Sequence, residues 1–347
     1  MLSLTWRTEG VFMTKRPPSM FDVAQASGVS HQTVSRVLNN HESVSDKTRA
    51  KVLASMEKLG YRPNLAARAL VTGKSSTIGV LSYDTTLFGP ASMLHAIRES
   101  AREVGYALNT VTLKSIDRES VENGIQELVN AGVDGLVIIA PHYVGDKPFS
   151  NIPGTIPTVI VEGEDTGKIP SVNVDQILGA QLAVEHLISL GHKRIAHISG
   201  PENWFETQKR IEGWKCALEK SKLSIKSLVA GDWSARSGYE ATKEILKDPK
   251  VTAIFAANDS MALGALKALS EAKIAVPAKM SLIGFDNLPE SEFLVPELTT
   301  VVQDFQEVGT RSLDMLIAQI EGKKISTKRL AITPTLAIRA STAKAPH

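Results

Sequence analysis

From Ile78 to Phe285, short apolar runs alternate with segments of helical periodicity. The first run is "IGVLS" and the last is "SLIGF", with helical segments such as 91–104 and 259–272 between them. Unbroken apolar strands that alternate with helices form parallel sheets covered on both faces, and about nine such strands across roughly 270 residues are too many for one small sheet. The pattern predicts two doubly wound parallel sheets, and hence two subdomains with a cleft between them.

The segment before this region, residues 19–60, fits three short helices. Ser19 is an N-cap candidate, and Asp22 three residues later completes a capping box. The first helix is predicted to end near Ser27, because Gly28 supplies the left-handed residue of a sharp turn. The same reasoning predicts a cap or stop for the other helices at Ser30, Ser45 and Gly60.

The second of these helices, 31–39, has a polar outer face. Val34, Val37 and Leu38 have the spacing of an inward face. The outer face is left with His31, Gln32, Ser35 and Arg36. Arginine can bind guanine and glutamine can bind adenine through paired hydrogen bonds, so this helix–turn–helix is suited to a DNA major groove. A plain helical bundle with a polar surface is the alternative.

Positive charge is concentrated in the same region. Residues 13–74 contain ten Lys or Arg and four Asp or Glu, a local charge of +6 in a chain whose formal net charge is +2. The rest of the chain is therefore slightly acidic. A basic module on a near-neutral body is typical of a protein that binds a polyanion. The solvated surface of a small helical domain would also account for the charge alone.

Residues 63–76 are predicted to be a linker. Pro63 ends the preceding helix and Asn64 can cap a new one. The segment "LAARAL" favours a helix but is too short to be stable alone in water. We therefore expect a conditional hinge helix here.

Several classes of protein are disfavoured. The only cysteine, Cys216, allows no internal disulfide, and no export signal or run long enough to cross a bilayer is evident. We expect a cytoplasmic protein with an unstructured segment at residues 1–18, in which Met13 is a possible start. No nucleophile elbow, phosphate loop or metal-spaced histidine cluster is present, so we expect no enzyme, metal or cofactor.

Polar residues follow most predicted strands, where ligands of open α/β sheets bind. Carboxylate or amide groups come at Glu162, Asn258 and Asp286. Together with Trp233 and Arg210 they form a set suited to a polyhydroxylated ligand. Other roles remain open: Asn258 and Asp286 as turn residues, Trp233 as packing, Asp259 as a helix cap, or a carboxylate pair as a glycosidase centre.

The segments "FDVAQASGVSHQTVSRVLN", "VSDKTRAKVLASMEKLGYRPN", "GHKRIAHISGP", "RIEGW", "AANDSMALGAL" and "LIGFDN" resemble the lactose-repressor (LacI-type) family of bacterial transcription regulators, from about Ser19 to Ser341. The core motifs are most similar to the member that gives the family its name. The resemblance implies an N-terminal all-α helix–turn–helix headpiece plus an α/β periplasmic-binding-protein-like core of two doubly wound parallel-sheet subdomains.

This resemblance divides the chain. It implies a DNA-binding domain at 19–62, a hinge helix and linker at 63–76, and an effector-binding and dimerisation core at 77–340. Within the core, it implies one subdomain of about 77–173 plus 305–332 and a second of about 175–302 plus 333–340.

The resemblance also implies roles for individual residues. DNA would be contacted by Ser30, His31, Gln32, Thr33, Ser35, Arg36, Asn39, Asn64, Ala67 and Leu70, with Leu70 wedged into the minor groove. The effector would be contacted by Tyr83, Leu87, Phe88, Glu162, Arg210, Trp233, Asn258, Asp286, Gln303 and Phe305. Glu162 and Tyr83 stand where the galactoside-binding pattern has the smaller Asp and Ser.

The implied function is that of a sugar-responsive repressor. A homodimer would bind a palindromic operator in double-stranded DNA, and a galactoside-like carbohydrate would release it. The alternative is a regulator that responds to a nucleobase or phosphosugar, as corepressor or inducer. A ligand-binding protein of the periplasmic type is a further alternative that would share the core, but the presence of residues 19–72 argues against it.

Overall fold

The computed structural model describes residues 16–38, 41–62, 73–115, 117–139, 152, 154–163, 167, 169–325 and 327–346. The chain divides into two compact units, Met1–Ser75 and Ser76–His347.

The first unit contains the three predicted helices, α1 (Met20–Ser27), α2 (His31–Leu38) and α3 (Asp46–Leu59). The capping box of Ser19 and Asp22 is confirmed, since each side chain accepts a hydrogen bond from the other residue's backbone N–H. Gly28 has a φ of 59°, the left-handed conformation that the sharp turn requires. A small core of Val23, Ala24, Val34, Val37 and Val52 joins the helices.

The second unit alternates strands and helices. In chain order, its elements are β1 (Thr77–Tyr83), α4 (Phe88–Glu103), β2 (Ala107–Leu113), α5 (Arg118–Asn130), β3 (Gly135–Ile139), β4 (Thr158–Val161), β5 (Ser171–Val174), α6 (Gln176–Ser189), β6 (Ile195–Ser199), α7 (Phe205–Lys220), β7 (Leu228–Ala230), α8 (Ala235–Ile245), β8 (Ala253–Ala256), α9 (Asp259–Glu271), β9 (Ser281–Asp286), a 3₁₀ helix (Pro289–Phe293), β10 (Thr299–Val302), α10 (Phe305–Ile320), β11 (Arg329–Ile332) and β12 (Thr335–Ala337).

These strands form two six-stranded sheets. The first has the order β11-β5-β4-β3-β1-β2 and the second the order β12-β10-β9-β8-β6-β7. Each sheet has helices on both faces and its own hydrophobic clusters, so the two predicted doubly wound subdomains are present. The sheets are parallel except that β12 pairs antiparallel with β10.

The prediction of about nine strands was too low, because β10, β11 and β12 were not recognised. These strands have only three or four residues, too few to show a clear period. Helix α10, which covers the first sheet beside α4, was also missed. Its Gly309 lies against the backbone of Ala96, where a Cβ atom would stand only 2.7 Å from the Ala96 carbonyl carbon.

The chain passes between the two subdomains three times in the second unit. It leaves the first sheet after β5, returns through α10 and β11, and ends in the second sheet with β12. The carboxyl ends of the central strands of both sheets therefore contribute to one cleft. In the described part of the chain, no helix combines the length and apolar character that crossing a membrane requires.

Candidate functional site

Helix α2 presents a polar face on the first unit. Val34 and Val37 are buried, whereas His31, Gln32 and Arg36 are exposed. Their side chains therefore lie on the face opposite the core. This geometry allows all three to reach base edges if α2 enters a major groove.

The N-terminal end of α2 is held by two local contacts. The Thr33 backbone N–H donates to Ser30 Oγ at 3.1 Å, and the two hydroxyls lie 2.9 Å apart. The ring of His31 stacks on Phe21 of α1, with ring centroids 4.5 Å apart. Ser35 is half-buried. The predicted DNA contacts at Asn39, Asn64, Ala67 and Leu70 lie outside the described residues.

A cleft of about 440 Å³, counting space open to solvent, lies between the subdomains of the second unit. Nine of the ten predicted effector-binding side chains line it: Leu87, Phe88, Glu162, Arg210, Trp233, Asn258, Asp286, Gln303 and Phe305. The lining also includes residues that the sequence did not single out, namely Gly89, Pro90, Met93, Gln176, Trp204 and Glu206. Most of the polar groups in the cleft follow the carboxyl end of a strand, which is where the sequence led us to expect a ligand to bind.

Tyr83 is the exception, because it does not line the cleft. It ends β1, packs against the hydrophobic cluster of the second subdomain, and its ring centroid lies 6.3 Å from that of Trp204. Trp204 takes the position beside the cavity instead.

Asp259 does not cap α9. Asn258 is the N-cap, since its side chain accepts from the Met261 backbone N–H at 2.8 Å. Asp259 is buried and accepts hydrogen bonds from Ser291 Oγ and Thr300 Oγ1, both at 2.6 Å. It therefore ties α9 to the 3₁₀ helix and to β10, away from the cleft.

Arg210 is the centre of a buried polar network. Its Nε donates to Gln176 Oε1 at 2.9 Å, and one Nη lies 3.6 Å from an Asp286 carboxylate oxygen. Its guanidinium carbon also lies 3.7 Å from the ring centroid of Phe285. Because the side chain is almost fully buried, these contacts fix the guanidinium plane.

The network continues across the cleft. Gln176 Nε2 donates to Glu162 Oε2 at 3.1 Å and to Gln303 Oε1 at 2.9 Å. Gln303 Nε2 in turn donates to Asp286 Oδ1 at 2.7 Å. Gln176 therefore connects Glu162 of the first subdomain, through Gln303, to Asp286 of the second. Like Glu162, Gln176 follows the carboxyl end of a parallel strand, here β5.

Three lining residues have a strained backbone. Glu162, Trp233 and Asp286 have φ values of 47°, 72° and 102°, in the left-handed region that favours glycine. Such residues persist only where the surroundings hold them, and they concentrate at binding sites. Gly200 contributes to this arrangement, because a Cβ there would overlap the Trp233 ring.

The opposite wall of the cleft is apolar. Leu87, Phe88, Pro90 and Met93 come from the start of α4, and the ring of Phe305 meets that of Phe88 edge-on at 5.9 Å. The cleft therefore offers hydrogen-bonding groups on one side and an apolar surface on the other. A sugar ring has both kinds of surface.

Burial perturbs the acids of the cleft. It raises the pKa of Glu162 to about 7, and it raises that of Asp286 to about 7 against the opposing effect of Arg210. Burial also raises the pKa of Glu206 well above its ordinary value, and Glu162 adds to this effect.

A pH-dependent stability follows from Glu162. Its pKa rises from 4.5 in the unfolded chain to about 7 in the folded chain, so the folded state retains a proton that the unfolded state has lost. Folding therefore becomes less favourable as pH rises through this window. In Glu162→Gln this titration is gone, and we expect the free energy of unfolding, relative to wild type, to rise by on the order of 2 kcal/mol across the window.

Wild type and variant must be compared because His197 has the opposite effect. Burial lowers the pKa of His197 from 6.5 to about 4, so this residue makes folding more favourable as pH rises. The contribution is common to both proteins and cancels in the difference. Urea unfolding of both proteins at about pH 5 and about pH 8 measures the difference in their free energies of unfolding. A difference that does not change with pH would contradict the raised pKa.

The comparisons with known proteins agree with this architecture. A family profile described as "Bacterial regulatory proteins, lacI family" matches residues 19–64, and one described as "Periplasmic binding protein-like domain" matches residues 184–342. The chain is 34% identical to the lactose operon repressor of Escherichia coli strain K12 over 96% of this chain and 92% of that protein.

Two further similarities extend over most of the chain. It is 35% identical to the HTH-type transcriptional repressor PurR of Haemophilus influenzae over 92% of this chain and 97% of that protein. A crystal structure of the lac repressor dimer bound to operator and the anti-inducer ONPF has a TM-score of 0.85 at 33% identity, covering 94% of this chain and 100% of that one.

Proposed function

This chain belongs to the lacI family of bacterial regulatory proteins, and we propose that it is a sugar-responsive transcriptional repressor. It binds a palindromic operator as a homodimer and is released by a small, galactoside-like carbohydrate. One observation carries the proposal: the same chain has an exposed His31, Gln32 and Arg36 face on its helix–turn–helix and an amphipathic cleft in its core.

DNA recognition is assigned to α2. His31, Gln32 and Arg36 read base edges, while other basic residues of the first unit contact phosphates without reading sequence. The hinge segment 63–76, with Leu70 in the minor groove, adds contacts when it folds on the operator. That assignment depends on the family resemblance, because 63–72 lie outside the described residues.

Effector recognition is assigned to the cleft. Arg210, Asp286 and Asn258 bind hydroxyl groups, and Trp233 covers an apolar face of the sugar. Leu87, Phe88 and Phe305 pack against the rest of the ligand or its aglycone. A phosphosugar is disfavoured because Glu162, Glu206 and Asp286 place three carboxyl groups around one guanidinium.

Release of DNA requires the effector to prefer one state of the core. Both subdomains contribute to the cleft, so a ligand that binds between them favours one relative placement of the two. A 100-fold weakening of operator binding needs about 2.7 kcal/mol of coupling, which is in the ordinary range. A corepressor would act through the same cleft with the opposite sign.

The test starts with a thermal-shift screen of mono- and disaccharides on the full-length protein, followed by selection of bound fragments from a genomic library. We expect one sugar class to raise the melting temperature and to lower the affinity for the selected fragment in a gel shift. Failure to prefer any fragment would contradict the repressor assignment. Turnover of a glycoside by pure protein would favour an enzyme instead.

A dimer is expected to use an exposed apolar surface of the second subdomain. Leu263, Phe293 and Val295 are 46%, 77% and 94% exposed, and the Ser291–Asp259 hydrogen bond holds the 3₁₀ helix against α9. Large exposed apolar side chains near one another are typical of interfaces.

We expect Phe293→Asp together with Val295→Asp to shift the protein from dimer to monomer in sedimentation velocity. Loss of the dimer should also lower operator affinity, because two separate monomers must then bind the two half-sites. Ile338→Asp is the matched control, since Ile338 is also apolar and 63% exposed in the same subdomain. A double variant that stays dimeric would place the interface elsewhere.

A further inference from the structure

Glu206 is a buried acid that the predicted sugar site does not use. It lies in the first turn of α7 and lines the cleft, yet it is only 6% exposed. Its Oε2 atom has no hydrogen-bond partner among the described residues. A buried carboxylate oxygen without a partner is costly, so a ligand that supplies a donor at this point would gain binding energy.

Among the described residues, no side chain of the cleft donates a hydrogen bond to this oxygen. Arg210, the guanidinium that lines the cleft, lies beside Asp286 and donates to Gln176 and to the Ala257 carbonyl. Glu162 accepts from the Val174 backbone and from Gln176. Three carboxyl groups therefore surround one guanidinium, and among them Glu206 has a buried oxygen without a hydrogen-bond partner in the described part of the chain.

Electrostatics point to the same conclusion. Burial and, after it, the neighbouring Glu162 raise the pKa of Glu206, so its carboxyl group favours the neutral form until a cation lies beside it. A positive charge on the ligand would lower this pKa and stabilise the carboxylate as a hydrogen-bond acceptor. A metal ion is a poor candidate, because no group of three or more His, Cys, Asp or Glu among the described residues could hold one. A ligand ammonium group provides both the charge and the N–H donors.

We propose that the effector carries a protonated amine, as an amino sugar does, and that Glu206 selects it by accepting a charge-assisted hydrogen bond. The proposal deepens the proposed sugar-responsive function and rests on it. A neutral sugar can donate a hydroxyl to Glu206 but brings no positive charge to stabilise the carboxylate form. A sugar phosphate or uronic acid would add negative charge beside three carboxyl groups.

The test compares matched sugars that differ at one position. Calorimetry on the full-length protein near neutral pH uses galactose, galactosamine and N-acetylgalactosamine, the glucose series, and the methyl glycosides of each. We expect one amino sugar to bind about tenfold or more tightly than both its parent and its N-acetyl form, since acetylation removes the charge but keeps the nitrogen. Its binding should also weaken the complex with a selected genomic fragment.

Variants assign the preference to one residue. Glu206→Gln keeps the size of the side chain and removes its charge, so the amine preference should fall to about twofold or less. Glu212→Gln, an exposed acid on the same helix that pairs with Lys209, should retain the full preference. Thermal melts of each variant establish that it is folded.

Each outcome has one meaning. A parent sugar that binds as well as its amine overturns the amine proposal and leaves the sugar-responsive function standing. An amine preference that survives in Glu206→Gln overturns the role of Glu206. If no sugar of these series binds and the thermal-shift screen of mono- and disaccharides also yields no ligand, the proposed sugar-responsive function itself fails, and the amine proposal fails with it.

Discussion

Replacing Arg36 by alanine should lower the affinity for the operator much more than the affinity for nonspecific DNA. Arg36 is exposed on α2, so the change leaves the core of Val34 and Val37 intact and introduces a residue of high helix propensity. Loss of a bidentate contact to guanine costs about 1–3 kcal/mol, or roughly 5- to 150-fold in affinity for the operator.

Nonspecific binding should change far less. It depends on phosphate contacts from many basic side chains. The substitution removes one charge per protomer, so the slope of log affinity against log salt should fall by about two at most for a dimer. Competition gel shifts, with a selected fragment against bulk DNA at several salt concentrations, measure both quantities.

Lys47→Ala is the matched control for Arg36. Lys47 is an exposed basic residue in the first turn of α3, away from the predicted base-reading face. Its removal should weaken specific and nonspecific complexes by similar factors. If Arg36→Ala behaves in the same way, with equal losses in both kinds of complex, Arg36 contacts phosphate and does not read bases.

The predictable parts of this chain are those governed by local chemistry. The capping box at Ser19, the turn at Gly28 and the stop at Gly60 depend on a few neighbouring residues, so the sequence places them within a residue or so. The polar residues at strand ends were also predictable, because parallel strands bring their carboxyl ends to one edge.

What the sequence did not reveal depends on tertiary burial. An acid in the first turn of a helix, such as Glu206, usually remains in solvent and interacts favourably with the helix dipole. Its burial depends on tertiary packing at the start of α7, where Trp204, the residue before the helix, meets Trp233 with ring centroids 5.4 Å apart. Tyr83 shows the converse, since a polar aromatic residue at a strand end packs on the neighbouring subdomain instead of lining the cleft.

Removal of Arg210 should abolish the response to effector while operator binding persists. In Arg210→Ala the ligand loses its guanidinium donors, and Glu162, Glu206 and Asp286 lose the cation that they surround. We expect effector affinity to fall by at least about 100-fold, as is usual when one partner of a buried charge network is removed. The operator complex formed without effector should stay within a few-fold of wild type, because Arg210 is assigned no DNA contact.

Arg210→Lys separates charge from geometry and guards against a folding defect. Lysine retains the positive charge beside Asp286 but cannot donate simultaneously to Gln176 and the Ala257 carbonyl in one plane. Its melting temperature should therefore lie between those of wild type and Arg210→Ala, while its effector affinity still falls about tenfold or more. Titration of effector against a preformed operator complex measures the response. An Arg210→Lys protein that releases DNA at the wild-type sugar concentration would show that positive charge alone is sufficient at this position.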